Sequence, residues 1–325
     1  MSYNDKFDID KPLWDQSTYM GRVKHYSFIS NVNTIVSEKK LWEAKNFCHD
    51  YKMGKIPPGT NMSDVIRAKQ LRDSAFHPET GERLPVFGRL SWQLPATVGL
   101  TTTMLTFTKS TTVIVTSQMV NQIHNALLNY AYRPRTENDH DDRDHVRNVF
   151  LCAVLASCMV TVACKKWLYR KTHMYTKCVP FYGVAVGHVV NLPIMRYKDI
   201  LLGMPLFLKD ENTPFMNSKV AAMKGITECT ISRILMCMPC LLLVPLTTQK
   251  FVNPCFWQRR PWLLAFIETS LCAFFCVYAV PFIIAIFPER NSMSPKLLRL
   301  YPGEYKNFKE LVKKDVDKVY YDKGV

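Results

Sequence analysis

The chain has 325 residues, 48% of them hydrophobic, and carries 42 Lys and Arg against 27 Asp and Glu, for a net charge of +15. Its mean hydropathy of -0.07 averages charged ends with apolar runs, so only the local pattern is informative. No phosphate loop, GxSxG, HExxH or dinucleotide fingerprint occurs, which argues against an enzyme. The bases are spread through loops beside apolar runs, which points to a membrane surface and not to nucleic acid.

Residues 1–93 are charged and interrupted by turns, and are expected to form a soluble or membrane-surface helical region. The opening MSYNDKFDIDKPLWD has no apolar core and carries Asp5, Asp8 and Asp10. It resembles neither a secretory signal nor an acid-poor presequence, so any targeting signal is expected to be internal. Ser37 is expected to cap a helix whose Leu41, Ala44, Cys48 and Tyr51 share one face. Ser63 is expected to cap a second, with Val65, Ala68, Leu71 and Ala75 inward, before a turn at HPETGE, residues 77–82. Both helices are short for a free-standing domain and are expected to rest on a membrane part.

Residues 94–288 hold the apolar runs: 148–164, 178–195, 231–248 and 263–288, with a Thr-rich fifth candidate at 97–120 that contains Lys109. A helix needs roughly 20 mainly apolar residues to cross a bilayer. The pattern predicts an all-α membrane protein of about five transmembrane helices, followed by a C-terminal tail over 289–325. The 165–177 loop carries Lys165, Lys166, Arg170, Lys171 and Lys177 without an acid, and the 249–262 loop carries Lys250, Arg259 and Arg260 without one. The 121–147 segment is net acidic through NDHDDRD. This alternation suits five spans with the N-terminus inside and the C-terminus outside; the basic tail fits that arrangement less well.

Polar groups at membrane depth are expensive and tend to be functional. The most regular set lies in NQIHNALLNY, residues 121–130, where Asn121, Asn125 and Asn129 recur every four residues and Gln122 adjoins the first. Such a set shares one helix face. Amides offer donors and acceptors without charge, which suits a zwitterionic or hydroxylated solute. The bland alternative is hydrogen bonding between helices. Asn191 precedes Leu192-Pro193, a weak point in its helix. Lys109 or Arg233 could attract a carboxylate, and Glu268 an ammonium. The substrate-path set is therefore Lys109, Asn121, Gln122, Asn125, Asn129, Asn191 and Arg233. Most of the eleven cysteines lie in apolar runs and read as small hydrophobes. The lone Cys237-Met-Pro-Cys240 and the acidic DHDDRDH, residues 139–145, are weak metal signals, so no cofactor and no metal are expected.

Several stretches resemble the sideroflexin family of mitochondrial inner-membrane proteins: WDQSTYMGR (14–22), DYKMGKIPPG (50–59), DSAFHPETGE (73–82), NQIHNALLNY (121–130), NLPIMR (191–196), SRILM (232–236) and YYDKGV (320–325). GRVKH (21–25) and QLP (93–95) lean towards the family's sideroflexin-2 branch. The resemblance implies five membrane helices, a matrix-side N-terminus, a C-terminus in the intermembrane space and no cleaved presequence. It also implies transport of serine or another small neutral amino acid for one-carbon metabolism, and a link to iron and haem homeostasis. Three departures surround the expected path: Ser110-Thr111-Thr112 lacks the family's Thr-Pro after the basic residue matched by Lys109, Tyr132 replaces an amide, and His124 replaces an aromatic residue. Two rival readings remain, a non-transporting scaffold or assembly factor and a carrier of iron or a haem precursor. The expected partners are the amino acid and membrane lipids.

Overall fold

The computed structural model describes residues 8–55, 59–77, 80–108, 110–131, 139–171, 177–208, 213–251, 261–312 and 316–323. Helices dominate. Three short helices open the chain: α1 (Tyr19–Ile29), α2 (Glu38–Lys52) and α3 (Met62–Ala75). α2 starts after Ser37 and buries Leu41, Ala44 and Cys48, the face its spacing predicts. α3 buries Val65, Ala68, Leu71 and Ala75 as expected, but its cap is Asn61 and not Ser63. Asn61 and Asp64 form a capping box in which the Asp64 carboxylate accepts from Asn61 N at 3.4 Å. The box satisfies orphan donors at both partners, which a serine one residue inside the helix does not do. The two faces meet in one small core with Ile9 and Phe76.

The bundle follows: α4 (Leu90–Thr106), α5 (Thr111–Ala131), α6 (Asp139–Lys171) and α7 (Val179–Met195). After the short α8 (Tyr197–Leu202), α9 (Lys219–Met238) runs through a π-helical turn at Pro239–Leu243 into α10 (Val244–Phe251). Pro239 and Pro245 each lack a backbone donor, so the ladder here cannot keep its regular spacing. α11 (Pro261–Ile284) completes the bundle. Three stretches are long and apolar enough to cross a bilayer: Phe150–Trp167, Lys219–Lys250 and Trp262–Ile284. The apolar α7 has 17 residues. By the length and apolarity of these helices the chain is a multi-pass membrane protein.

A four-stranded antiparallel sheet is added to the helices, with order β2-β1-β4-β3. Its strands are β1 (Met204–Phe207), β2 (Met216–Ser218), β3 (Arg290–Met293) and β4 (Val319–Asp322). Gly203, at φ 82°, makes the turn from α8 into β1. Leu206 faces Tyr321 across β1 and β4, so the C-terminal residues are knit to the segment before α9. The sheet and the last helix, α12 (Pro302–Leu311), enclose Leu206, Val220, Leu298, Phe308 and Tyr321. Tyr321 OH donates to Glu228 Oε2 at 2.8 Å, which ties β4 to α9. Glu304 of α12 accepts from Ser218 Oγ at 2.6 Å and Lys219 N at 2.8 Å, placing a carboxylate at the N-terminus of α9.

The 97–120 run, a candidate fifth span, is divided between α4 and α5, which pack on each other. The described parts of the two termini lie at one end of the bundle. Tyr19 OH donates to Phe282 O at 2.9 Å and Arg22 Nε to Ala285 O at 3.0 Å, so α1 sits on the C-terminal end of α11. β3 leaves that same end and pairs with β4. At the other end Lys177, just before α7, donates to Glu268 near the start of α11 at 2.7 Å. Thr248, near the end of α10, donates to the same carboxylate at 3.3 Å.

Candidate functional site

A cavity of about 90 Å³ lies where α1, α4, α5, α7, α9 and α11 converge. Room for water-sized groups on this scale exceeds what a single water needs several times over. Its polar lining includes Asn121, His124 and Asn125 from α5, His188 from α7, Arg233 from α9 and Tyr26 from α1. Among the described lining residues there is no carboxylate, so Arg233 makes the formal charge of the site positive. Asn121 Nδ2, His124 Nε2 and Asn125 Nδ2 are buried and have no hydrogen-bond partner among the described residues. Unsatisfied buried donors cost roughly 1–3 kcal/mol each, which makes such a cluster unusual in a region built for packing alone. Cys237 Sγ lies 3.7 Å from His188 Nε2 on the same wall.

The polar stripe of α5 has two edges. Asn121, His124 and Asn125 form the edge turned to the cavity. One turn before Gln122, Gln118 lies on the other edge, wholly buried against α6 and α7. Gln118 Nε2 donates to Pro180 O at 3.0 Å, while Ser157 Oγ is 2.8 Å from Gly183 O and 3.2 Å from Gln118 Oε1. Thr161 Oγ1 donates to Ser157 O at 2.7 Å. This seam joins helices by hydrogen bonds, the role that the bland alternative assigned to the asparagines. Gln118 could have been found from sequence, since it stands four residues before Gln122.

The predicted set is thus divided. Asn121, Asn125 and Arg233 line the cavity together. Gln122 is fully buried beside Gly187 in the seam, outside the cavity lining. Asn191, 3% exposed, sits one turn beyond His188 and does not line the cavity either. Asn129 belongs to α5, but its side chain lies outside the described residues, as does all of Lys109. Glu268 does not serve the cavity as a cationic subsite, because its carboxylate accepts from Lys177 at 2.7 Å and Thr248 Oγ1 at 3.3 Å. The paired cysteines face different neighbours: Cys237 turns to His188, while Cys240 lies 3.4 Å from Cys276 Sγ. Among the described residues no group of three or more His, Cys, Asp and Glu could hold a metal ion. Tyr26 and Gln93 join the lining without any sequence signal, since α1 and α4 reach the cavity only through the fold.

A second, wider cavity of about 510 Å³ opens at the end that holds the termini. Arg22, Tyr26, Glu289, Arg290, Tyr320 and Asp322 contribute to it. Burial pushes the Glu289 carboxyl up, and the charge of Asp322 adds to this against the opposing pull of Lys323. Burial likewise pushes the Tyr26 phenol up to about 12, so it stays neutral at physiological pH.

The model of a family described as "SFXNs: Sideroflexins" matches residues 8–325. The chain is 32% identical to Sideroflexin-1 of Homo sapiens over 324 residues, covering 98% of this chain and 97% of the relative. It is similarly 32% identical to Sideroflexin-1 of Mus musculus, with the same coverage. To Sideroflexin-3 of Rattus norvegicus it is 33% identical over 319 residues, covering 98% of each chain. No solved structure matches.

Proposed function

This chain belongs to the sideroflexin family, and on that premise we propose that it carries serine or a related small neutral amino acid across the mitochondrial inner membrane. The transport would supply mitochondrial one-carbon metabolism. The observation that carries this reading is the cluster of unpartnered amide and imidazole nitrogens of Asn121, Asn125 and His124 facing one cavity. A zwitterion needs a cation for its carboxylate and neutral acceptors for its ammonium. Arg233 answers the first need, and the amide oxygens of Asn121 and Asn125 with nearby hydroxyls answer the second. A small side chain suits the limited volume.

In this reading α4, α5, α7, α9 and α11 rearrange around the site so that it opens to one end and then the other, and substrate shifts the population between the two states. Residues 165–177 and 249–262 are basic and acid-free, so they face the matrix in this scheme. The scaffold reading draws less from the site, because the helix-joining bonds are made by Gln118 and Ser157. The iron or haem-precursor reading finds no ligand cluster among the described residues to build on.

The test is uptake of labelled serine into liposomes holding the purified protein. Saturable uptake that unlabelled alanine competes away is expected. Asn125→Leu removes one buried polar partner of the solute, worth about 1.4 kcal/mol or tenfold in rate. The variant is therefore expected to lose about nine-tenths of the uptake rate while inserting normally. Undiminished uptake by inserted Asn125→Leu protein would sink the assignment of the cavity.

A further inference from the structure

Among the described residues Tyr26 is common to the linings of the inner cavity and the outer one. The two linings therefore adjoin at this residue. α1, which carries it, is held against α11 by two side-chain bonds to Phe282 O and Ala285 O. Phe282 is in the last turn of α11 and Ala285 directly follows it, where carbonyls lack partners in the helix. Arg22 also gathers the preceding segment, its Nη1 donating to Gln16 O and Ser17 O at 3.0 Å each. Ser30 Oγ donates to Tyr26 O at 2.6 Å, which firms the last turn of α1 beneath the ring. α1 thus has a definite seat, made by a few polar contacts on a helix end that Pro281 already weakens by removing a ladder bond.

The two cavities differ in character. The inner one has Arg233 and no carboxylate among its described lining residues. The outer one presents Glu289 and Asp322 beside Arg22 and Arg290. A small zwitterion can therefore meet both signs of charge on arrival and a cation further in.

Building on the transport reading, we infer that Tyr26 is the gate between an outer vestibule and the inner binding cavity. The ring closes the terminal end of the path, and its bulk limits passage to zwitterions with small side chains. Movement of α1 away from the end of α11 opens it. The hydroxyl is not required for this, since the work is steric.

Native thiols provide a test that does not need transport. Cys237 lines the inner cavity, whereas Cys240 is sealed between helices at 1% exposed. In lipid nanodiscs, a charged methanethiosulfonate reagent is followed by peptide mass at both sulfurs. Tyr26→Ala is expected to speed labelling of Cys237 severalfold and leave Cys240 unlabelled, while Tyr26→Phe matches the parent. An unchanged Cys237 rate in Tyr26→Ala overturns the gate, and so does equal acceleration at Cys240, which marks general loosening. Serine uptake by the same proteins is read separately. Absent uptake in the parent with accelerated Cys237 labelling keeps the gate and rejects the serine reading. Normal uptake with unchanged labelling does the reverse. In liposomes that transport serine, Tyr26→Ala is also expected to admit competition by phenylalanine that the parent resists.

Discussion

Gly183→Val is expected to destabilise the bundle by about 3–5 kcal/mol, enough to abolish a cooperative melt in detergent. The α7 sequence reads Gly183-Val-Ala-Val-Gly187, with the two glycines one turn apart on the same face. Such spacing lets helix backbones approach closely. A Cβ at Gly183 would collide with Thr161 Oγ1 and lie 2.9 Å from Gln118 Nε2. Neither atom can retreat cheaply. Thr161 Oγ1 is bonded to Ser157 O, and Gln118 Nε2 to Pro180 O. Overpacking alone costs roughly 1–3 kcal/mol, and each buried polar group left orphaned adds about 1–3 more. Gly187→Ala should cost less. There the collision is with the tip of Gln122, the far end of a long side chain that has no hydrogen bond to lose among the described residues. The check is the melting temperature of the purified variants, with Gly187→Ala as the graded comparison. A Gly183→Val protein that melts with the parent would show that α6 and α7 do not pack as described.

The second large effect is expected where the start of α7 meets α11. Lys177→Met leaves Glu268, 1% exposed, without its cation. Its remaining partner, Thr248 Oγ1, also lies within 3.0 Å of Val244 O and 3.2 Å of Pro245 O. One hydroxyl proton cannot serve three acceptors, so that contact is weak. Breaking a buried ion pair from one side costs about 3–5 kcal/mol, and the partial exposure of Lys177 places this case near the lower limit. The double variant Lys177→Met with Glu268→Gln removes the stranded charge and is expected to recover most of the loss. Melting of the four proteins in the cycle gives the coupling directly. If both single variants behave like the parent, the pair does not fasten α11 to the start of α7.

Both effects depend on neighbours that no local pattern reveals. Glu268 looks like an isolated acid in an apolar run, available to an ammonium, until the fold sets Lys177 beside it from 91 residues away. The GxxxG spacing is visible, but Thr161 and Gln118 become its constraint only when α5, α6 and α7 meet. The N-terminal helices show the opposite case. Ser37 precedes a stripe of Leu41, Ala44 and Cys48, and the same residues are buried in the structure. A helix repeats every 3.6 residues, so an amphipathic face is written in the local order of residues.

The sheet could not be read that way. Its strands have three or four residues, too short for alternation to stand out, and Leu206 pairs with Tyr321 more than a hundred residues later. The 97–120 run stayed only a candidate for a related reason: average apolarity measures a segment's affinity for its surroundings, not whether its backbone turns between α4 and α5.

The sequence by itself determined that this is a helical membrane protein of the sideroflexin pattern, with an amide stripe on α5 and basic loops after two apolar runs. Periodicity, run length and loop charge are local quantities, and each can be summed along the chain. Only the tertiary structure decided which edge of the stripe faces the cavity, that Gln118 and not Asn125 joins the helices, that Tyr26 lines two cavities, and that both described termini share one end. These are distances between residues far apart in sequence, fixed by packing and by the pairing of buried polar groups, and one-dimensional order does not contain them.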